Sequence, residues 1–426
     1  MRVLIKWLLI CALFTGSLSA GQRYIVRTTS LLNLNNDCLL LGCTVVQAVE
    51  DPLSQLFVIV FPDGPVADVL ASVLSGLLGI LGVEPDRVMT VLDSSPPIPD
   101  ALYDSAPVPY YGTSVRHGYI AQPAVQILRI REAQATYGIA GAGIVAVIDT
   151  GVDPNHSVLQ NVLLPGYDFT RNRDGATETC DVNQSTAAVV DGAYPTYVNG
   201  TTAAVVSQST AAVVDNPEYA AFGHGTMVAG VIHLVAPQVM ILPAKAFAAN
   251  GRGYTSDILR AIYWAVRRQT RVINMSFSMP SSSAEFKRAI DYATGLGIVS
   301  VAAAGNDGQA TTVYPAAFNN VMGVASTTNS DVRSTFSNYG QNLVWVAAPG
   351  EGVVTTYPFS TYAAAWGTSF SAPFVSGTVA LLLDLRSGLD YGAASDAVAH
   401  AKPLTPALGH GRLDIVQAAQ AVQGMQ

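Results

Sequence analysis

The stretch GIVAVIDTGVD, residues 143–153, joins an apolar run to a polar turn and decides the fold class. The run from Ile144 to Ile148 has no polar alternation, which is typical of a strand buried on both faces of a parallel sheet. It ends at Asp149, the first residue of an Asp-Thr-Gly turn. An acid at the end of a buried strand is a candidate functional residue, although Asp-x-Gly is also a common turn.

Similar runs alternate with helix-like stretches from about residue 118 to the end of the chain. The strand-like runs include VMILPAKAF (239–247), RVINMSF (271–277), GIVSVAAAG (297–305) and NVMGVAS (320–326). The helix-like stretches include TSDILRAIYWAVRR (255–268), SAEFKRAIDYATGL (283–296) and SAPFVSGTVALLLDLR (371–386). This alternation predicts an α/β fold, with a mostly parallel sheet covered by helices on both faces.

The composition describes a compact globular protein. Of 426 residues, 50% are hydrophobic and 12% charged, which excludes disorder of the whole chain. The net charge is -8 and no Lys/Arg cluster is present. The chain therefore lacks the cluster of basic residues that is typical of nucleic-acid-binding proteins.

The first 20 residues have the order of a secretory signal peptide: basic residues, a short apolar run, then small residues. The alternative is an N-terminal membrane anchor that stays on, but the apolar run is short for a stable membrane span. Secretion also bears on the cysteines. If Cys11 leaves with the signal, Cys38 and Cys43 could close a small disulfide, which leaves Cys180 alone.

Three regions follow the signal. Residues 21–92 alternate β-like runs with a helix-like stretch at 66–82, a pattern typical of a small α+β unit. Residues 93–117 are rich in proline and are predicted to form an extended, exposed linker. The larger α/β domain then occupies residues 118–426.

Two further motifs place reactive side chains at predicted helix starts. FGHGTMVAG (222–230) holds His224 between two glycines, and WGTSFSAPFVSG (366–377) holds Ser369 two residues after Gly367. A helix start favours developing negative charge through its free N–H groups and its dipole. Taken singly, the histidine could be a cap and the serine an ordinary N-cap. Together with Asp149 they follow the order Asp, His, Ser, one of the known arrangements of a nucleophilic triad.

At these residues the sequence resembles the subtilases, the subtilisin-like serine proteases. The blocks DTG, HGT, AAAGN and GTSFSAP stand in the order of that family, and the resemblance covers about 300 residues from Gly118 to the C-terminus. It implies a subtilisin-like three-layer fold preceded by a small α+β (ferredoxin-like) propeptide domain. Four matching blocks are a specific signal.

The resemblance implies a role for each matching residue. Ser369 attacks the peptide carbonyl, and His224 takes its proton and returns it to the leaving amine. Asp149 holds the ring in the useful tautomer and stabilises the imidazolium. Asn306, in AAAGNDG, supplies an oxyanion-hole donor, although it could otherwise be a turn residue.

The substrate is expected to lie as an added strand against two segments of the chain. These substrate-binding candidates are Gly251, Gly253 and Tyr254 in GRGY, and Ser276, Phe277 and Ser278 in SFS. The family commonly has glycines after the serine and apolar residue that line the first specificity pocket, whereas Ser278 and Met279 stand here. Their side chains are expected to narrow or reshape that pocket.

No cofactor or metal is predicted to be required. Many secreted subtilases bind calcium through a loop rich in Asn after the catalytic histidine helix, with help from an Asp. Here VAGVIHLVAP passes directly to the next strand, and Val158 stands where that Asp would be. That calcium site is therefore expected to be absent.

Residues 21–92 resemble the subtilase propeptide by size, position and β-α-β pattern, without a specific motif. The resemblance implies an intramolecular inhibitor and folding aid that is removed by a cut within residues 93–118. The alternative is an accessory domain that stays attached.

An exact repeat interrupts the larger domain. QSTAAVVD occurs at residues 184–191 and again at 208–215, with TAAVV at 202–206 between them. The interval from Asp149 to His224 is 224 - 149 = 75 residues, well over twice that of compact family members. Residues 171–221 are therefore interpreted as an insertion, either a β-rich flap that gates substrates or docks a partner, or an idle low-complexity loop.

These features predict a secreted serine endopeptidase made as a self-processing precursor. Its expected partners are polypeptide substrates and its own propeptide, with no nucleic acid and no stable membrane span once the signal is removed. The alternative is a catalytically silent subtilase-like binding protein that uses the repeat insertion. An esterase is disfavoured, because its Gly-x-Ser-x-Gly elbow does not match GTSFS.

Overall fold

A computed structural model describes residues 21–62, 66–89, 98–181, 196–198, 203–205 and 219–425. The chain divides into two compact units, Met1–Arg87 and Val88–Gln426. The predicted signal peptide, residues 1–20, lies outside the described residues.

The first unit has the element order βαββαβ. Its elements are β1 (Gln22–Thr28), α1 (Leu31–Leu41), β2 (Thr44–Ala48), β3 (Leu56–Phe61), α2 (Ala67–Ser75) and β4 (Ile80–Pro85). The four strands pair antiparallel in the order β2-β3-β1-β4. This is the ferredoxin-like arrangement expected from the sequence. Tyr24, Val26, Leu34, Ile59 and Phe61 are among the buried residues of its core.

Local signals in the sequence set the bounds of α1. Ser30 caps its start by accepting a hydrogen bond from the Asn33 N–H, and Gly42 ends it in the left-handed region at φ 77°. Cys38, on the buried face of α1, is disulfide-bonded to Cys43 just after the helix, and Cys180 is a free, exposed cysteine. The disulfide that the cysteine spacing allowed is therefore formed.

The second unit is an α/β structure. Its strands are β5 (Val88–Met89), β6 (Pro107–Tyr110), β7 (Thr113–Arg116), β8 (Ile144–Asp149), β9 (Tyr167–Asp168), β10 (Arg173–Asp174), β11 (Thr196–Val198), β12 (Ala203–Val205), β13 (Met240–Lys245), β14 (Gly253–Tyr254), β15 (Val272–Met275), β16 (Val299–Ala303), β17 (Val321–Thr327), β18 (Val346–Pro349), β19 (Val353–Tyr357) and β20 (Thr361–Ala365). Its helices are α3 (His117–Ala121), α4 (Pro123–Ile127), α5 (Ile130–Tyr137), α6 (His224–Val235), α7 (Thr255–Arg267), α8 (Ala284–Gly295), α9 (Thr368–Leu385), α10 (Tyr391–Ala399) and α11 (Ile415–Gly424).

The central sheet has eight strands in the order β10-β9-β13-β8-β15-β16-β17-β18. All neighbours from β9 to β18 are parallel, and only β10 runs antiparallel. Every residue of β15, β16, β17 and β18 is buried. Because successive side chains point to opposite faces, complete burial means that both faces are covered. The α/β fold class predicted from the apolar runs is confirmed.

Two buried helices, α6 and α9, pack against each other, and α9 also crosses β15, β16 and β17. Among the described residues, α9 is the one helix long and apolar enough to cross a membrane by length and composition. Of this helix, 89% is buried inside the unit. The apolar composition of α9 is therefore matched by its place in the core.

The prediction of an extended, exposed linker at residues 93–117 is wrong for residues 98–117, which the structure describes. Residues 98–117 are folded, and β6 and β7 form an antiparallel hairpin. Tyr110 is 2% exposed and donates a 2.6 Å hydrogen bond to the Leu234 carbonyl. Proline is tolerated in this hairpin because a two-stranded ribbon has free edges. Residues 90–97 lie outside the described residues.

The predicted insertion at residues 171–221 begins inside the core. Ala176 and Glu178 are buried, so the chain up to Asp181 belongs to the body of the unit. Further on, β11 and β12 form an antiparallel hairpin, and β12 pairs with β20 to give the sheet order β11-β12-β20-β19. The central TAAVV copy contains β12, whereas both copies of QSTAAVVD lie outside the described residues.

Gly377→Ala is expected to destabilise the second unit by about 1–3 kcal/mol through overpacking between α6 and α9. A Cβ on Gly377 would lie 2.7 Å from the Cβ of Val235 and 3.2 Å from the Ile232 carbonyl oxygen. The measurement is the free energy of unfolding in urea.

The matched control is Gly295→Ala at the end of α8, where no atom lies within 4 Å of the new Cβ. Alanine there is expected to be neutral or to stabilise by up to about 1 kcal/mol through helix propensity. Equal stabilisation by both substitutions would contradict the close packing of the two helices.

Candidate active site

The fold gathers the candidate residues at the carboxyl edge of the central sheet. Asp149 ends β8, Ser276 follows β15 and Asn306 follows β16. His224 and Ser369 occupy the first turns of α6 and α9. This edge is where α/β proteins hold their ligands.

A buried hydrogen bond joins His224 to Asp149. The distance from Nδ1 of His224 to Oδ1 of Asp149 is 2.7 Å, and both residues are 2% exposed. The Thr150 N–H donates to the same carboxylate oxygen at 2.7 Å. Because a carboxylate only accepts, Nδ1 carries the proton, and Nε2 is left as the basic nitrogen.

The hydroxyl of Ser369 is directed away from the ring in this conformation. It donates to the Ser276 carbonyl oxygen at 3.0 Å. Within the described part of the chain, Nε2 of His224 has no hydrogen-bond partner. A proton transfer between the two therefore requires the Ser369 side chain to turn towards the ring. Such catalytic hydrogen bonds often form only once substrate is bound.

Thr368 fixes the orientation of the Asn306 side chain. Oδ1 of Asn306 accepts from the Thr368 N–H at 2.9 Å and from the Thr368 hydroxyl at 2.8 Å. The amide group therefore presents Nδ2 on its other side. A Cβ on Gly367 would lie 3.4 Å from Nδ2, which places this donor beside the peptide that leads to Ser369.

The first group of substrate-binding candidates lies on β14 and the turn before it. Gly251 is in the left-handed region at φ 76°, and Gly253 and Tyr254 form the strand itself. β5 pairs antiparallel with this strand, with Gly253 opposite Met89 and Tyr254 opposite Val88. The backbone of β14 therefore accepts an extended segment of chain along its edge.

The second group of substrate-binding candidates follows β15, and its three side chains have different surroundings. The Ser276 carbonyl accepts from Ser369, and the Ser276 hydroxyl donates to the Ser369 carbonyl at 2.7 Å. Phe277 is 3% exposed and its ring centroid lies 5.0 Å from that of Phe247, so its side chain belongs to the core. Oγ of Ser278 lies 3.3 Å from where a Cβ of Gly305 would be.

Two buried ionisable residues beside Asp149 do not stand out in the sequence. Lys245, in an apolar strand, is fully buried and donates to Asp181 at 2.7 Å and to the Thr150 carbonyl at 2.6 Å. Glu178 is also fully buried and contacts the same turn through Thr150. A single lysine in the apolar run VMILPAKAF only weakly indicates a buried, paired charge. Around Glu178, the sequence ATETCD has no feature that indicates burial of the carboxyl group.

Comparisons with known proteins point to one family. The sequence model of the subtilase family matches residues 141–407. Subtilisin BL of Lederbergia lenta is 41% identical over 169 residues, 38% of this chain and 62% of that protein. Thermophilic serine proteinase of Bacillus sp. (strain AK1) is 36% identical over 247 residues, 58% of this chain and 53% of that protein. Thermitase of Thermoactinomyces vulgaris is 34% identical over 273 residues, 64% of this chain and 86% of that protein.

The chain thus spans less than two thirds of the first two relatives and most of thermitase. Among solved structures, the crystal structure of a lanthipeptide protease is similar with a TM-score of 0.56 and 23% identity. The similarity covers 70% of this chain and 94% of that one, and it concerns the fold alone.

Proposed function

The chain belongs to the subtilase family, and from that premise we propose that it is a serine endopeptidase acting through Ser369, His224 and Asp149. The observation that carries the proposal is the buried 2.7 Å hydrogen bond between Asp149 and His224, whose ring centroid lies 5.3 Å from that of Phe370, the residue after Ser369. Burial strengthens this bond, because little water competes for the carboxylate.

In the proposed reaction, Ser369 turns from the Ser276 carbonyl to His224 when a peptide binds. Nε2 of His224 takes the hydroxyl proton while Oγ attacks the peptide carbonyl carbon. The carbon–nitrogen bond then breaks as the imidazolium gives that proton to the leaving amine. Water repeats the sequence on the acyl-enzyme, and Asp149 stabilises the imidazolium at both stages.

The oxyanion of the tetrahedral intermediate is proposed to lie between Asn306 and the start of α9. Nδ2 of Asn306 supplies one donor, in an orientation that Thr368 fixes. Backbone N–H groups in the first turn of α9 supply another, with the positive end of the helix dipole. Donors held in place before reaction stabilise the transition state without reorganising.

The precursor part of the proposal rests on the first unit and on β5. A separate ferredoxin-like unit precedes the second unit, and the next residues, Val88 and Met89, pair as an extended strand with β14. A segment held on a substrate-binding strand would block it until it is cut. We propose that residues 21–92 act as an inhibitory propeptide and that residues 1–20 direct secretion.

The proposed partners are polypeptide substrates and the chain's own N-terminal unit. We propose no required cofactor and no calcium at the common subtilase loop, because Val158 cannot ligate an ion and is buried at 2% exposure. The insertion is proposed to gate access, since β12 pairs with β20, and β20 ends three residues before Thr368 in α9.

The second candidate function is a catalytically silent binding protein. One observation favours it: the Ser369 hydroxyl is bonded to the Ser276 carbonyl and not to Nε2 of His224. Against it, Asp149, His224, Asn306 and Ser369 are all retained, and a binding scaffold has no physical need for a base and an oxyanion donor together.

Ser369→Ala in the chain from residue 21 to 426 is expected to abolish self-processing and labelling by a fluorophosphonate probe. The parent is expected to lose its N-terminal unit by a cut within residues 93–118 and to label at Ser369, since only a basic imidazole activates the hydroxyl. Intact mass and peptide mapping measure both. If parent and variant both stay full length and unlabelled, the endopeptidase proposal fails, and the result favours the catalytically silent binding protein.

Asn306→Ala is expected to lower kcat on a short peptide by about 10²–10³-fold with little change in KM, because an oxyanion donor acts mainly in the transition state. The control is Asn319→Ala at an exposed position, which is expected to leave kcat unchanged. An unchanged kcat for Asn306→Ala would remove this residue from the oxyanion hole.

Deleting residues 184–215 removes β11 and β12 and is expected to raise cleavage of whole proteins relative to short peptides. A gate obstructs large substrates more than small ones, so the ratio of the two rates is the measurement. The control deletes residues 208–215 alone, which keeps both strands and is expected to keep the ratio. If neither deletion changes the ratio, the insertion is an idle loop.

A further inference from the structure

Glu178 is a fully buried carboxyl group that the proposed reaction does not use. Burying such a group is unfavourable unless hydrogen bonds replace its water. Oε2 of Glu178 accepts from the Thr150 hydroxyl at 3.0 Å and from the Gly223 N–H at 2.9 Å. Oε1 is in a short hydrogen bond with the Thr226 hydroxyl. Both oxygens are therefore occupied.

These three partners belong to the two segments that carry the Asp–His pair. Thr150 follows Asp149 and donates its N–H to the Asp149 carboxylate. Gly223 precedes His224, and Thr226 lies in the first turn of the same helix. One side chain thus joins the turn that bears the acid to the helix that bears the base.

Further hydrogen bonds close this arrangement into a network. The Thr150 hydroxyl accepts from the Gly225 N–H at 3.0 Å, and the Thr226 hydroxyl accepts from the Asp153 N–H at 2.8 Å. A Cβ on Gly225 would lie 2.0 Å from the Gly151 carbonyl oxygen, so turn and helix are in direct contact. The spacing between Asp149 and His224 depends on this contact.

We propose that Glu178 is a positioning residue that fixes the Asp149 turn against the His224 helix. The inference rests on the proposed endopeptidase function, because the pair it positions is the acid and base of that reaction. Glu178 itself contacts neither substrate nor reacting atoms.

The chemical state of Glu178 suits this role. Burial raises its pKa to about 8, although hydrogen bonds from Thr226 and Thr150 and the nearby Lys245 ammonium act in the opposite direction. The group is therefore mostly protonated at neutral pH. Oε2 already accepts two hydrogen bonds, so in the protonated form the Thr226 hydroxyl, which here donates to Oε1, turns and accepts from Oε1–H instead. A neutral Glu178 adds no second negative charge beside Asp149.

The state of Glu178 also predicts which substitution preserves function. Glutamine has the same shape as a neutral glutamic acid: its oxygen can accept from Thr150 and Gly223, and its amide group can donate to Thr226. Alanine removes all three hydrogen bonds and leaves the buried Gly223 N–H and two hydroxyls to find new partners.

The test compares Glu178→Ala and Glu178→Gln with the parent in the full chain. Glu178→Ala is expected to lower both kcat and the fluorophosphonate labelling rate of Ser369 by about 10²-fold at unchanged KM, because small misplacements of catalytic groups have effects of this size. Glu178→Gln is expected to restore most of both rates. The far-downfield proton resonance of the His224 Nδ1–H, which reports the bond to Asp149 without turnover, should weaken in Glu178→Ala and return in Glu178→Gln.

A matched control separates positioning from general stability. Asp414 is buried at 5% exposure, and its side chain accepts from the Gln417 N–H to cap α11. Asp414→Ala is expected to lower the thermal midpoint and leave the labelling rate unchanged.

Three outcomes would overturn the inference. They are parental labelling and resonance in Glu178→Ala, no recovery in Glu178→Gln, or an equal loss of labelling in Asp414→Ala. If the parent itself is not labelled, the proposed function fails. The resonance then still reports whether Glu178 orders the pair, which distinguishes the two failures.

Discussion

The hydrogen bond between Asp149 and His224 is buried, and this burial constrains the structure around it. A carboxylate at 2% exposure has no water to satisfy it, so donors from the protein must do so. The Thr150 N–H takes part of this role, and within the described part of the chain Oδ2 of Asp149 has no hydrogen-bond partner. Because little water reaches this depth, the charge of the carboxylate is weakly screened and acts strongly on the neighbouring ring.

Close packing around small residues holds α6 and α9, the two helices that carry candidate residues, in place. α6 begins with His224 and α9 carries Ser369 in its first turn, and both are almost completely buried. Gly377 lets α9 approach Val235 at the far end of α6, and Gly230 lets α6 approach the hydroxyls of Thr355 and Thr356 on β19. Rigid, closely packed helices fix their first turns more tightly than surface loops could. The packed core therefore fixes the positions of the candidate residues, although these residues themselves lie at strand ends and helix starts beside glycines.

Residues with a local signature could be predicted from the sequence, whereas residues whose role depends on distant partners could not. The apolar runs predicted the parallel sheet, because complete burial of a strand leaves a continuous apolar string. Glu178 bonds to partners 28 to 48 residues away in the chain, and Lys245 bonds to Asp181 and Thr150, which are 64 and 95 residues away. No local pattern encodes such contacts. The linker prediction failed for a related reason. Proline content indicates an extended backbone, but the buried Tyr110 side chain attaches the hairpin to α6 through the Leu234 carbonyl.

The site of the insertion also follows from backbone hydrogen bonding. β19 and β20 form an antiparallel ribbon in which each residue of β20 pairs with β19 on one side. On its other side β20 would present unpaired N–H and C=O groups, which invite pairing with another chain. β12 covers this edge at Ala363, Ala364 and Ala365, immediately before the segment that leads to Ser369. A strand needs only backbone groups to pair with such an edge, so a simple sequence of small and β-branched residues can do so without matching pockets. β12 therefore needs no side chains matched to pockets in order to cover the edge of β20, the strand that ends three residues before α9.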